Sequence, residues 1–391
     1  MALKEIILKR GKESNLQRKH PWIFSGAIHR KDKSIASGDQ VVVLDSQGHT
    51  IAVGHYTDSS IAVRILSFEP REIDLEFYKE YLSTAKHARN SVLSLPSSLT
   101  NCYRLIAGEG DFLPGLIIDM YDDVAVIQCH TAGMLGDIDL IAEALDQVFE
   151  ESLDSIYLKA IHIKEQAYES QFLKGGKTEQ LVKEHDISFH VDWTKGQKTG
   201  FFLDQRENRF LIQKYAKGRR VLNTFCYTGG FSLNALKADA ELVHSIDISQ
   251  TAMDQTDRNV NLNNAKESRH KSITGNVIEF LNKAKKDEYD LIILDPPAFA
   301  KNRNKSHNAV QAYKRINLAA MQKIGSNGLI FTFSCSQVVD RKLFENTIRA
   351  AAIESGRNIR ILHHLNQAPD HTVNIYHQEG HYLKGLVIHV E

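Results

Sequence analysis

Cysteine is scarce, with four in 391 residues. Cys102, Cys129, Cys226 and Cys335 show neither paired metal-ligand spacing nor the density of a secreted disulfide scaffold. All four are expected as reduced thiols, and no metal site is expected. No apolar run is long enough to span a bilayer, so no membrane partner is expected. The first twelve residues alternate charges with aliphatics where a signal peptide would need a continuous apolar core, and a cytoplasmic protein is the expectation. Net charge is absent too: 48 basic and 48 acidic residues cancel, which removes any bulk attraction for a polyanion. There is no internal repeat and no low-complexity segment.

What remains is the composition of an ordinary globular protein, 42% hydrophobic and 25% charged. At roughly 150 residues per domain the length allows two or three domains. Charge is unevenly spread. Residues 1–33 carry nine basic side chains (Lys4, Lys9, Arg10, Lys12, Arg18, Lys19, Arg30, Lys31, Lys33) against three acids (Glu5, Glu13, Asp32). A local excess matters more than the total, because phosphates are met by a surface. Residues 1–70 read as a small β domain. Alternating and β-branched runs flank the turn Asp45-Ser46-Gln47-Gly48, and a third run follows at 61–66. Short strands closed into a barrel with a basic, aromatic-containing arm suit RNA; a β appendage with merely solvated lysines is the plain alternative. Lys9, Arg10, Lys12, Arg18 and Lys19 are the RNA-binding candidates.

Residues 71–185 read as a mixed α+β segment. Leu75, Tyr78, Leu82 and Ala85 fall on one face of a helix over 74–91, a hairpin turns at Asp122 and Asp123, and a helix over 138–150 precedes a strand over 155–160. This stretch holds no catalytic constellation. From 186 to 391 the pattern becomes α/β. Asp204 and Glu207 have capping-box spacing for a helix expected to run to Gly218. Beyond it come seven aliphatic strands with intervening helices: 221–225, 242–247, 272–275, 291–295, 329–334, 358–364 and 383–389. Continuous aliphatic runs are the mark of a parallel sheet covered on both faces.

The segment 221–249 organises this domain. It contains a buried strand, a turn at Gly229 and Gly230, a helix, and a second strand ending on Asp247. Ligands of doubly wound sheets bind beyond the carboxyl ends of the strands, so the turn and Asp247 are expected to share a crevice. The turn lacks the G-x-G-x-x-G spacing that seats a pyrophosphate, which disfavours nicotinamide and flavin cofactors. An adenosine ligand without pyrophosphate fits better, with Asp247 accepting both ribose hydroxyls; S-adenosylmethionine is the candidate, and plain strand–helix packing is the alternative. At the next strand end, in LDPPAFAK, two prolines hold Asp295 extended and donate no amide hydrogen. Lys301 to Arg315 follows with five basic residues and no acid, either a polyanion contact through Lys301 and Arg303 or a solvated surface. Cys335 lies where the fifth strand ends. An amine accepts a methyl group directly, but carbon 5 of a pyrimidine becomes nucleophilic only after a thiolate adds to carbon 6. Cys335 is either that thiolate, with Asp295 hydrogen-bonded to the base edge, or a small buried hydrophobe.

The ordered motifs HPWIFSGAI, KTGFFLDQR, VLNTFCYTGGF, LDPPAFAK, FSCS, QAPDH and YLKGL span essentially the whole chain. Together they resemble the bacterial large-subunit rRNA cytosine-5 methyltransferases that carry an N-terminal PUA domain. The resemblance implies a PUA domain over 1–70, a small α+β domain over 71–185 and, over 186–391, a Rossmann-like class I methyltransferase domain built on a seven-stranded, mostly parallel sheet. It further implies that Phe202, Asp204, Gln205 and Arg206 border S-adenosylmethionine. Tyr227, Thr228 and Gly229 would lie under its methionine part, Asp247 would hold the ribose and Asn276 would stand near the adenine. Asp295, Pro296 and Cys335 would form the reaction centre. Asn276 departs from the family pattern, where aspartate is usual, although an amide oxygen can still accept from the adenine amine. The implied partner is rRNA or a ribosome assembly intermediate, and a homodimer is compatible with it. Two other activities remain open: guanine-N2 or adenine-N6 methylation, since acid-Pro-Pro-aromatic loops also orient exocyclic amines, and a non-catalytic assembly factor that uses the fold as an RNA clamp.

Overall fold

The computed structural model describes residues 4–163, 167–264, 267–300 and 305–391. Lys301 and Arg303 lie outside the described residues. By contacts the chain divides into two units: Met1–Val182 with Val191–Leu203 and Pro369–Gly380, and Lys183–His190 with Asp204–Ala368 and His381–Glu391. Among the described residues no helix is long and apolar enough to cross a membrane.

The first unit begins with β1 (Lys4–Leu8), the short helix α1 (Ser14–Gln17), β2 (Trp22–Phe24), β3 (Ile28–Lys31), β4 (Gln40–Leu44), β5 (Thr50–Tyr56) and β6 (Ile61–Ser67). They form one sheet in the order β2-β6-β5-β4-β1-β3, in which only β1 and β4 run parallel. Alternation along the strands turns Ile6, Leu8, Val41, Val43, Ala52, Val63 and Ile65 into one core. The turn expected at residues 45–48 is present. Asp45 Oδ1 accepts from the amides of Gln47 (2.8 Å) and His49 (2.9 Å), and Gly48 supplies a φ of +90°.

A second sheet of this unit, β11-β10-β9-β8-β7, comprises β7 (Cys102–Ala107), β8 (Leu116–Tyr121), β9 (Val124–Cys129), β10 (Ser155–Leu158) and β11 (Gln171–Lys174). Helices α2 (Leu75–His87) and α4 (Ile138–Val148) pack on it, with the short α3 (Ala132–Gly136) just before α4. Asp74 caps α2 by accepting from the Phe77 amide at 2.9 Å, a contact worth about 1 kcal/mol. Phe77, Tyr78, Leu82 and Ala85 are its buried face. The β8–β9 hairpin turns at Asp122, whose φ is +60°. Strands β12 (Glu179–Glu184) and β13 (Ile187–Asp192) form a separate two-stranded sheet.

The second unit is the expected seven-stranded sheet. Its strands are β14 (Arg220–Thr224), β15 (Leu242–Asp247), β16 (His270–Thr274), β17 (Leu291–Leu294), β18 (Gly328–Ser334), β19 (Ile359–Leu365) and β20 (Lys384–Val390), in the order β16-β15-β14-β17-β18-β20-β19. Six run in one direction, and β20 alone is reversed, pairing antiparallel with β18 and β19 on either side. Helices α5 (Arg206–Ile212), α6 (Gly230–Lys237), α7 (Gln250–Leu262), α8 (Val277–Lys283), α9 (Ser306–Lys323) and α10 (Arg341–Ser355) accompany it. Leu222, Ile246, Ile292, Leu294 and Ile330 bury against Tyr313, Ile316, Ala320 and Phe344 of α9 and α10. The register pairs Thr224 with both Ile246 and Leu294, and Leu294 with Thr332. The carboxyl ends of β14, β15, β17 and β18 therefore lie at one edge of the sheet, the point beyond which such sheets bind ligands.

Two local expectations fail. Asp204 does not cap α5: it lies in a 3-10 turn (Leu203–Gln205), the residue preceding α5 is Gln205, and no side chain caps that end. Asp204 Oδ2 instead accepts from the Tyr382 hydroxyl at 2.7 Å, while Glu207 accepts from Arg206 Nε at 3.1 Å. The helix also ends at Ile212, short of Gly218, and single turns carry the chain on to β14.

Candidate functional site

Beyond β14 the backbone takes positive φ at Phe225 (+54°), Tyr227 (+48°) and Gly229 (+80°) before α6 begins. Left-handed conformations at two aromatic residues in five are costly and persist only where the surroundings impose them. Helix α7 does so here. Thr256 Oγ1 donates to the Tyr227 carbonyl at 2.9 Å, and Asn259 Nδ2 donates to the Thr228 carbonyl at 3.0 Å. Asp247, at the end of β15, accepts from the Tyr227 amide (3.2 Å) and the Ser249 amide (3.0 Å) on different oxygens. One carboxylate thus ties the glycine turn to the start of α7, and each oxygen keeps a free lone pair.

At the end of β17, Asp295 receives a 3.0 Å hydrogen bond from Gln205 Nε2. Gln205 is held in turn, its Oε1 accepting from Asn208 Nδ2 at 2.7 Å, and Asn208 also donates to the Asn366 carbonyl at 2.9 Å. Burial, and next the Asp204 carboxylate, push the Asp295 carboxyl up to about 7; the Gln205 hydrogen bond and the Arg209 guanidinium oppose them. Pro296 is buried beside it and Pro297 is exposed. Arg209 itself is locked to Glu184 through Nε (2.7 Å) and Nη2 (2.6 Å), both side chains nearly inaccessible.

Cys335 follows β18 and is partly accessible, whereas Cys102, Cys129 and Cys226 are buried. Burial, followed by the negative charges of Asp295 and Asp204, raises its thiol to about 11. At rest the sulfur is therefore protonated, and the thiolate read from the sequence is not its ground state. Cys226 has no such exposure, and burial, followed by the Asp247 carboxylate, raises its thiol well above the ordinary value.

Asn276 is exposed and caps α8, its Oδ1 accepting from the amides of Ile278 (2.9 Å) and Glu279 (3.2 Å). The oxygen expected to meet an adenine amine is committed, which leaves the amide NH2 as the free group. Arg206 is buried. Phe202 belongs by contacts to the first unit. So do Lys9, Arg10, Lys12, Arg18 and Lys19, all exposed. Lys12, Trp22 and Phe24 line a groove of about 380 Å³ there. The histidines near the carboxyl terminus serve separate contacts: His363 bonds the Tyr215 hydroxyl at 2.6 Å, His371 lies 3.1 Å from Asp370, and His377 packs on Trp22 at 4.3 Å between centroids. Tyr382, Gln205 and Asn208 act as braces through contacts to Asp204, Asp295 and Asn366 that are remote in sequence, so no motif spacing announces them.

Residues 157–372 match the model of an S-adenosylmethionine-dependent methyltransferase family, and residues 6–68 match a PUA-like domain. The chain is 39% identical over 393 residues to the ribosomal RNA large subunit methyltransferase I of Aeromonas salmonicida, covering 98% of each protein. It is 35% identical to the Escherichia coli protein of the same name, covering 98% of this chain and 99% of that one. The chain belongs to this methyltransferase family. Among solved structures, a methyltransferase from Streptococcus mutans superposes with a TM-score of 0.84 at 23% identity over 99% of this chain and 100% of that one, a likeness of fold. Family membership makes the protein an S-adenosylmethionine-dependent methyltransferase with an N-terminal PUA-like domain.

Proposed function

We propose that the protein methylates carbon 5 of a cytosine in large-subunit rRNA, in the cytoplasm, through a transient covalent bond to Cys335. The observation that carries this reading is the pairing of a partly accessible thiol with a partly buried carboxyl of pKa about 7 at neighbouring strand ends. An exocyclic amine needs no thiol, so amine methylation leaves Cys335 without a task.

The residues fit the cofactor on two counts. Asp204 Oδ1 is buried with no hydrogen-bond partner among the described residues, and an ammonium group such as that of the methionine part satisfies it. The free lone pairs of Asp247 suit two ribose hydroxyls. In this reading Phe202, Gln205, Arg206, Tyr227, Thr228, Gly229 and Pro296 border the cofactor, and the amide of Asn276 donates to the adenine. When bound, S-adenosylmethionine supplies an electrophilic methyl group.

The chain's own residues prepare the acceptor. The Sγ–H proton of Cys335 passes to the Asp295 carboxylate, the sulfur lone pair forms a bond to carbon 6, and the carbon 5–carbon 6 π pair becomes available at carbon 5. Asp295, protonated in part at neutral pH, gives its proton to the base edge and neutralises the adduct. After methylation the base edge returns its proton to Asp295, a water takes the carbon 5 proton, and the pair left by that proton re-forms the carbon 5–carbon 6 double bond as the sulfur–carbon 6 pair returns to Cys335. The base must leave its stack to expose both faces. Residues 1–70 bind RNA backbone through Lys9, Arg10, Lys12, Arg18 and Lys19, with Lys301 and Arg303 adding charge; residues 71–185 act as a scaffold and 186–391 carry the catalysis. The test is to incubate the protein with unmodified rRNA and methyl-labelled cofactor, then identify the nucleoside by mass spectrometry. Label in 5-methylcytidine is expected, and label in a guanine or adenine amine overturns the reading.

A further inference from the structure

A thiol raised to about 11 and flanked by two carboxylates needs a cation before it can act near neutral pH. The sheet supplies one. Lys384 opens β20, directly opposite Ser334 in the antiparallel ladder. Its side chain is 4% exposed, and its Nζ donates to the Ser336 carbonyl at 2.6 Å. Cys335 is thus bracketed by the two residues that Lys384 meets through backbone pairing and side-chain contact. Lys384 makes no salt bridge with any described carboxylate, which is unusual for a buried ammonium.

We propose that Lys384 is the positioning residue that supplies the positive charge for the Cys335 thiolate, an inference that rests on the cytosine-5 reading. In the activated state the Sγ–H bond breaks, the electron pair stays on sulfur beside the Lys384 ammonium, and the proton passes to the Asp295 carboxylate. Asp295 then holds the proton that the base edge receives when the sulfur–carbon bond forms. Charge is conserved throughout. Burial holds the Lys384 ammonium down to about 8, Cys335 and Asp340 opposing that and Arg341 adding to it. The groups around Cys335 are Asp295, Asp204, Tyr313 and Lys384. Among them Lys384 is the cation.

The experiment follows iodoacetamide alkylation of Cys335 against pH by peptide mass spectrometry, in the full chain and in Lys384→Met and Lys384→Arg. The Met variant is expected to move the alkylation midpoint up by about one unit, slowing the reaction about tenfold at pH 8, and the Arg variant to restore most of the rate. A merely structural tie to Ser336 would change the melting temperature and leave the profile alone. Superimposable profiles for wild type and Lys384→Met overturn the proposal. Should the Met variant not fold, the wild-type profile decides. Loss of the ammonium charge near pH 8 must reduce the slope of log rate against pH above that point, and a single ionisation up to pH 10 overturns the inference. Cys335→Ala separates the two readings. If it retains methyl transfer while Lys384→Met still shifts the alkylation profile, the cytosine-5 mechanism falls and the charge pairing stands.

Discussion

Asp295 and Cys335 sit in a field that works against ionisation, and the cost is measurable. The folded-state pKa of Asp295, about 7, lies above its unfolded value of 3.8, so the folded chain holds an extra proton between those limits. Stability contributed by this group is present at low pH and is lost as pH rises from about 4 to 7. Asp295→Asn removes the charge. It should raise stability at pH 8 by on the order of 2 kcal/mol, after allowance for partial solvent access, and do little at pH 4, while methyl transfer falls at least a hundredfold. Chemical denaturation at the two pH values checks it, and equal effects at both would contradict the assignment. Both residues were legible as strand-end groups, because each closes an aliphatic run. Their electrostatic state was not. It depends on Asp204, Gln205 and Lys384, which reach them only through the fold.

The turn between β14 and α6 is the element on which cofactor binding rests in this account. A Cβ on Gly229 would stand 2.7 Å from Thr256 Cγ2, at a φ that costs a side chain about 1–2 kcal/mol. Gly229→Ala is expected to lower the melting temperature by several degrees and weaken S-adenosylhomocysteine binding at least tenfold by calorimetry; binding at wild-type strength would show the turn to be remote from the ligand. The buried Arg209–Glu184 pair braces the same region, since a Cβ on Gly230 would meet Arg209 Cδ at 2.6 Å. Glu184→Ala strands a buried guanidinium and should cost about 3–5 kcal/mol of stability in urea denaturation. The glycine turn and the seven strands could be read from hydrophobic runs and punctuation. The capping box at Asp204 and Glu207 was a misreading with a clear cause. Its local spacing is correct, but the Tyr382 hydroxyl takes the carboxylate. Strands β11 and β12 escaped notice because QFLK and EQLVKE carry too few apolar residues to alternate visibly.

At the scale of the whole molecule, the zero net charge conceals a basic amino-terminal surface. Lys9, Arg10 and Lys12 are exposed there. Reversing all three to Glu should weaken rRNA binding and make the slope of log affinity against log salt shallower by about two to three, as measured by fluorescence anisotropy; an unchanged slope would place the RNA contacts elsewhere. The order of domains along the chain was readable from its motifs, but their interleaving was not. Segments 191–203 and 369–380 belong by contacts to the first unit although residues of the second lie on both sides of them in sequence. Nothing in local hydrophobicity encodes such a return. The central claim is that Cys335 bonds to the base during methylation. Incubating the protein and the cofactor with substrate RNA containing 5-azacytidine tests it most directly, because this base cannot release the thiol by losing a proton from position 5. A denaturation-resistant protein–RNA adduct mapped to the Cys335 peptide, absent in Cys335→Ala, is the predicted result; methyl transfer to the natural RNA with no adduct on the analogue would contradict it.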